Sequence, residues 1–326
     1  MKFAVIIPYF GSFKPSIALF LEGVRRNPEI DFLFYTDCAF PAAADDIGNL
    51  KIKRSSLSDI AALATEKTGV RFAPEKPYKL CDLRAFYGLV FAEDLKGYDF
   101  WGYGDTDIIP GDLHTALAEL HAENYDKIGE LGHLCFLRNT ERVNRAAFTE
   151  TSDTVSARDA LTKQESLGFD ERDFNVKCRE AGLRVYDGKW AADIDIFYWR
   201  MRLANRLTYR ALLRMPVKSS AKNYPHQIFA LIDGRVMCVY IRRGKVCMDD
   251  YAYIHFRKEA PIRLDDVRTN RYLITREGFL PLDPGSLEDP AAVMALIKQH
   301  NEPEDRLHEM LGLLVNLKRT RFGKES

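Results

Sequence analysis

Two aspartates one residue apart, Asp105-Thr106-Asp107, are the side chains of this sequence best suited to chemistry. Residues i and i+2 of an extended chain project to the same side, so both carboxylates can face one cation. Oxygen ligands of this kind suit magnesium or manganese. The spacing alone is a weak signal: Asp and Glu make up 47 of 326 residues, so acid-x-acid triplets arise by chance, and Asp193-Ile194-Asp195 is a second Asp-x-Asp. Setting separates the two pairs. Asp105 and Asp107 follow an apolar stretch with Phe100, Trp101 and Tyr103, among glycines (Gly102, Gly104, Gly111) that let backbone approach closely. The carboxyl end of a strand is where open α/β sheets bind ligands. Asp193 and Asp195 lack that setting and read as loop or strand-end acids.

The elements that must position the pair follow from periodicity. Lys2 to Ile7 is an apolar run of strand length, stopped by Pro8-Tyr9-Phe10-Gly11 before an amphipathic helix with Ile17, Leu19, Phe20, Leu21 and Val24. Asp31 to Asp37 and Leu50 to Lys53 are further strands, and Ser55 to Lys67 a helix. A long helix is expected over Tyr78 to Asp94, then a strand over Tyr98 to Tyr103 that runs into the acids. Tyr125 to Gly129 and His133 to Arg138 follow as strands. A helix capped at Asn139 or Thr140 runs through Phe148, a polar loop spans Thr149 to Asp159, and a helix over Phe169 to Ala181 ends at Gly182. Arg184 to Tyr186 and Ile194 to Tyr198 are strand candidates. Arg235 to Ile241 and Val246 to Phe256 form a hairpin through Arg243-Gly244, which puts Tyr251, Tyr253 and His255 on one face. Two helices close the chain, Leu287 to His300 and Pro303 to Phe322, the second with Leu307, Met310, Leu314 and Leu317 on one side and Lys318, Arg319, Arg321 and Lys324 at its end. Strands alternating with helices predict an α/β fold with a mixed, mostly parallel sheet flanked by helices, followed by a C-terminal helical extension.

Composition narrows the function. Lys+Arg and Asp+Glu are both 47, so no bulk field points to nucleic acid, and an anionic ligand must be held by local charges. No stretch approaches the roughly 18 to 20 apolar residues of a membrane span, and the apolar start is broken at Pro8, too early for a signal peptide. Six scattered cysteines without a C-x-x-C pair read as reduced thiols, and a cytoplasmic protein is expected. No G-x-G-x-x-G opens a helix after a strand and no G-x-x-x-x-G-K-[ST] occurs, which discounts a dinucleotide-binding dehydrogenase and a P-loop enzyme.

Ile6-Ile7-Pro8-Tyr9-Phe10, Phe34-Tyr35-Thr36-Asp37, Tyr78-Lys79-Leu80-Cys81-Asp82-Leu83-Arg84 and Tyr98 through Asp107 come in an order and spacing that resembles GT-A-fold, nucleotide-sugar-dependent glycosyltransferases. Leu131-Gly132-His133 through Leu137-Arg138-Asn139, with Tyr253-Ile254-His255-Phe256-Arg257-Lys258, resemble a bacterial branch associated with surface-polysaccharide synthesis. The resemblance covers about residues 1 to 260, which it makes a GT-A-like domain, and leaves residues 261 to 326 as a mainly helical extension.

The resemblance implies roles. Pro8, Tyr9 and Phe10 border the nucleotide base, and Asp37 accepts from base or ribose, or else caps a turn. Asp105 and Asp107 take the ribose and a diphosphate-bridging Mn²⁺ or Mg²⁺, with His255 completing the metal shell and Lys258 at the diphosphate; the Lys-Pro-Trp ending of the fuller motif is missing. Asp82 and Arg84 bind donor sugar or diphosphate, although a spacing of two sets them about 200° apart on a helix, so both reach one ligand only near its start. Lys79 serves the donor, or pairs with Asp82 three residues on. Gly132 and His133 line the acceptor side. Asp170 and Glu171 sit near the sugar or acceptor hydroxyl, where an inverting enzyme needs a general base; alternatively Asp170, with Asp173, caps a helix. The late histidine tilts the stereochemistry toward retention. The implied activity moves a sugar from a nucleoside diphosphate, UDP by default, to a hydroxyl of a glycan or lipid-linked glycan. The amphipathic basic tail, outside the resemblance, reads as a helix packed back on the domain or, alternatively, as a peripheral membrane contact. A noncatalytic glycan- or nucleotide-binding protein on the same fold is the competing reading, and it has less need of a charge-neutralising cation.

Overall fold

The computed structural model describes residues 1–195, 201–204, 222–256, 270–275 and 278–301. Lys258, the expected helix at 303–322 and most of the strand expected from Ile194 lie outside them. The chain forms two compact units: Met1–Thr106 with His114–Gly188, and Asp107–Leu113 with Lys189–Ser326.

The first unit is built on a seven-stranded mixed sheet. Its strands are β1 (Phe3–Pro8), β2 (Ile30–Thr36), β3 (Leu50–Arg54), β4 (Phe100–Gly104), β6 (Lys127–Ile128), β7 (Leu134–Arg138) and β8 (Val185–Tyr186), in the order β3-β2-β1-β4-β7-β6-β8; β5 belongs to the second unit. β3, β2, β1 and β4 run parallel, and β7 is antiparallel to both β4 and β6. Buried on both faces, β1 reads as one apolar run. On one side Phe20 of helix Ile17–Arg25 packs edge-on against Phe32 and Phe34. On the other, Ala4, Ile6, Leu33 and Trp101 share a core with Ile60 and Ala64 of helix Leu57–Thr68. That helix begins in a capping box between Ser56 and Asp59 and ends at Gly69, whose φ of 70° takes the left-handed turn. Strand order reverses between β1 and β4, so the carboxyl ends of these two, Pro8 onward and Asp105 onward, mark the switch point at which such sheets bind ligands.

The expected helix Tyr78 to Asp94 forms through Val90 as an uninterrupted succession of short 3₁₀ and α turns: Pro77–Lys79, Leu80–Leu83, Arg84–Phe86 and Tyr87–Val90. Gly88 is pressed so closely under Trp101 and Asn144 that a Cβ there would lie 2.3 Å from Asn144 Oδ1 and 2.7 Å from Trp101 Nε1. Helix Ala157–Thr162 starts inside the expected loop, and the helix expected from Phe169 begins at Arg172. Strand Ala191–Asp193 ends just before Ile194.

The second unit holds two sheets. β10 (Gln227–Ile232), β11 (Arg235–Arg242), β12 (Lys245–Tyr251), β14 (Arg271–Ile274) and β15 (Phe279–Pro281) form an antiparallel sheet in the order β12-β11-β10-β14-β15. Ile228, Ala230, Val239 and Leu273 pack on Val293 and Ile297 of helix Pro290–Asn301. Two-residue turns with both central φ positive, Asp233-Gly234 and Arg243-Gly244, join its hairpins. The first of these carries β10, a strand missed in the sequence although Asp-Gly announces it. The second sheet is small: β5 (Ile108–Pro110), β13 (Tyr253–His255) and β9 (Ala191–Asp193), ordered β5-β13-β9.

The strand expected over Val246 to Phe256 breaks at Ala252. Its N–H donates to Trp190 O at 2.9 Å and its carbonyl accepts from Gly111 N at 2.8 Å. Tyr251 therefore pairs in the large sheet, while Tyr253 and His255 pair in the small one. The three do not share one strand face. All six cysteines are unpaired, as expected of reduced thiols, and four of them are buried. Among the described residues no helix is long and apolar enough to cross a membrane.

Candidate functional site

In the first unit the candidate residues converge on Arg84. Its guanidinium pairs with Asp105, donates from Nη1 to Asp170 Oδ2 at 3.0 Å, and donates from the same nitrogen to Gly132 O at 3.1 Å. A planar fork is suited to such several-point recognition, where lysine would act as a point charge. Burial pulls the Arg84 pKa down, but Asp105, Cys81 and Asp170 together hold it well above its usual value. Asp170 is 2% exposed, and burial pushes its carboxyl up to about 6 against the opposing pull of Arg84.

The surrounding backbone is tied to this centre. Gly132 N donates to Glu171 Oε1 at 3.2 Å, and Tyr103 OH to Asp170 O at 3.2 Å. A Cβ on Gly132 would lie 2.5 Å from Asp170 Oδ2, so the chain passes where only glycine fits. Lys127, wholly buried, donates to Gly129 O and, at 2.7 Å, to Asn175 Oδ1, while Asn175 Nδ2 reaches Glu130 O at 2.7 Å. This brace of the 129–132 turn had no sequence signal, since an isolated lysine reads as surface. Asp170 does not cap a helix: helix Arg172–Glu180 has Glu171 at its N-cap position without a side-chain cap bond, and Asp173 sits in its first turn.

Asp82 faces away from Arg84. It pairs with Lys79 at 2.7 Å, with side chains 0% and 2% exposed respectively, and accepts from Leu167 N and Phe169 N at 2.9 Å each. Lys79 also donates to Glu165 O at 2.9 Å. The pairing weighed for Lys79 is therefore present, and buried rather than on the surface. Lys79 and Asp82 hold the loop that delivers Asp170, leaving Arg84 as the member of this segment turned toward Asp105.

Around β1, Tyr9 N bonds Tyr35 O at 3.0 Å, the Tyr9 ring stacks on Phe13 at 4.8 Å, and Phe10 is buried. Pro8, half-buried, closes the strand. Asp37, exposed at the end of β2, accepts from Gly11 N at 3.1 Å and so ties the turn after β1. Phe13, Lys14, Ile17, Cys38 and Phe40 line a cavity of about 570 Å³ beside it. His133 is buried, and its carbonyl accepts from Asp105 N at 2.9 Å.

In the second unit the small sheet assembles the other candidates. β13 pairs antiparallel with β5, setting His255 opposite Ile108, and parallel with β9, setting it beside Asp193. His255 Nε2 lies 3.5 Å from Asp107 Oδ1, and His255 Nδ1 lies 2.8 Å from Asp193 Oδ1. Burial lowers the basicity of the imidazole, but the two carboxylates outweigh it and raise the pKa to about 9. Asp107 and His255 offer an oxygen and a nitrogen close enough for one cation with bonds of about 2.1 Å, a donor set that manganese and magnesium accept. Asp193 is the residue that sequence reasoning passed over. The second Asp-x-Asp was visible, but its partner lies 62 residues away and only the β9–β13 register brings the two together.

A family profile matches residues 5–283, and the chain belongs to that family, described as a family of unknown function (DUF6625). A sequence comparison with curated proteins finds no match. Among solved structures, the chain is similar to galactosyltransferase LgtC in complex with donor and acceptor sugar analogues, at 10% identity and a TM-score of 0.41 over 94% of this chain and 100% of that one. It is also similar to residues 1–349 of S. aureus TarS, at 14% identity and a TM-score of 0.31 over 56% of this chain and 64% of that one.

Proposed function

We propose that this member of a family of unknown function is a metal-dependent glycosyltransferase, moving a sugar from a nucleoside diphosphate, UDP by default, to a hydroxyl of a glycan. The observation that carries the reading is the pairing of Asp107 with His255 Nε2 at 3.5 Å, directly downstream of Asp105 in the chain. One residue separates Asp105 from Asp107, so their Cα atoms stay within roughly 7 Å whatever the backbone does there. Asp105, Asp107 and His255 would hold Mn²⁺ or Mg²⁺, which when bound offsets the negative charge of the departing diphosphate.

The chain's own residues supply the rest. Arg84, bonded to Asp105, is the guanidinium suited to a phosphate oxygen, and Asp170 with Gly132 O fixes its plane. In this reading Asp170 and Glu171 position Arg84 and the Gly132 turn rather than serve as general base to the acceptor hydroxyl. Tyr9 and Asp37, at the ends of β1 and β2, are the groups offered to the base and ribose.

The test is calorimetric titration of UDP into the protein with Mn²⁺ and again with EDTA, with GDP and ADP as controls. UDP binding that saturates with Mn²⁺ and is lost with chelator is expected, as is at least a tenfold weakening, about 1.4 kcal/mol, in Asp107→Asn. Unchanged UDP affinity in that variant sinks the metal assignment. No nucleotide binding under either condition favours the noncatalytic glycan-binding reading.

A further inference from the structure

We infer that Asp193 is a positioning residue, holding the His255 ring so that Nε2 is the nitrogen presented beside Asp107. Its consequence for a cation rests on the metal reading above; its content rests on the small sheet alone. Asp193 Oδ1 lies 2.8 Å from His255 Nδ1, and both side chains are buried. A carboxylate at this distance accepts from a ring N–H, which assigns a proton to Nδ1. With Nδ1 turned to Asp193, Nε2 is the ring nitrogen that faces Asp107 Oδ1, at 3.5 Å.

The backbone enforces the choice. Parallel pairing sets Asp193 beside His255, antiparallel pairing sets Ile108 opposite it, and Phe256 N bonds Asp107 O at 3.4 Å. The two carboxylates thus meet the two ring nitrogens separately. An imidazole whose second nitrogen donates to a carboxylate has its orientation fixed and its ligating strength raised. In this arrangement Asp193 acts through His255 rather than as a ligand beside Asp107.

Mn²⁺ alone is the probe, with affinity read by calorimetry and imidazole coordination by the ¹⁴N modulation of the Mn²⁺ electron spin echo. Asp193→Ala and the nearly isosteric Asp193→Asn are compared with the parent protein, each checked for folding by thermal unfolding. Roughly tenfold to hundredfold weaker Mn²⁺ binding with loss of the ¹⁴N modulation is expected. In a His255→Gln background the Asp193 substitutions should cost nothing more. An equal loss in that background overturns the inference, as do unchanged affinity and modulation in both single variants. Parent protein that binds no Mn²⁺ defeats the metal reading instead. The inference is then decided in ¹⁵N-histidine-labelled, metal-free protein: a downfield Nδ1 proton, absent in His255→Gln, must move upfield in Asp193→Asn, and its failure to move overturns it.

Discussion

Asp170 shows how one side chain can couple chemistry to stability. Its carboxyl is raised from the ordinary 3.8 to about 6 because burial penalises the charge more than Arg84 relieves it. The folded state therefore binds the extra proton between those values, and stability falls as pH rises from about 4 to about 6, then levels off. Asparagine does not titrate. Stability of the parent protein relative to Asp170→Asn should decline across that window by at most about 3 kcal/mol, measured by urea unfolding at pH 4.5 and pH 7. A pH-independent difference would falsify the burial argument. This residue was legible only in part: position and chemistry stood out, but its partner Arg84 lies 86 residues earlier, and a helix-cap role fitted the local sequence equally well. Asp105 and Asp107 were legible because a buried strand and glycines frame them. Asp193, framed by nothing local, was not.

At the scale of elements, β1, β2 and β4 were readable because strands buried on both faces are continuous apolar runs, whereas β3 is mostly exposed and charged. The segment after Pro77 was read as one regular helix from its apolar spacing, and it is helical through Val90, as alternating short 3₁₀ and α turns. The 129–132 turn offers a direct test. Gly132→Ala would put a methyl 2.5 Å from Asp170 Oδ2 and 3.2 Å from Arg84 Nη1, and Asp170 cannot yield without loosening its ion pair. A stability loss of about 1–3 kcal/mol is expected, with UDP binding weakened in the same variant. Urea unfolding and calorimetry read the two effects, and an alanine variant with parental UDP affinity would show that Arg84 does not depend on this turn.

For the molecule as a whole, the chain passes from one unit to the other between Thr106 and Asp107, returns between Leu113 and His114, and leaves again after Gly188. No single cut separates the units. A fragment ending at residue 188 keeps β5 but loses β9 and β13, uncovering Ile108 and Ile109, which are 2% and 1% exposed in the intact chain. It should self-associate in size-exclusion chromatography, and a monodisperse fragment with the parental urea midpoint would show that β5 needs no partner. The break at Ala252 has a consequence for how this family can change its length. Arg243-Gly244 is a solvent-facing turn at which residues can be gained or lost without disturbing any pairing outside its own hairpin. Between Ala252 and His255 a single inserted residue would rotate the histidine to the opposite face of β13, away from both Asp107 and Asp193. An alignment of relatives that keep the histidine should therefore run free of gaps through this stretch, a ruler of fixed length between Ala252 and His255.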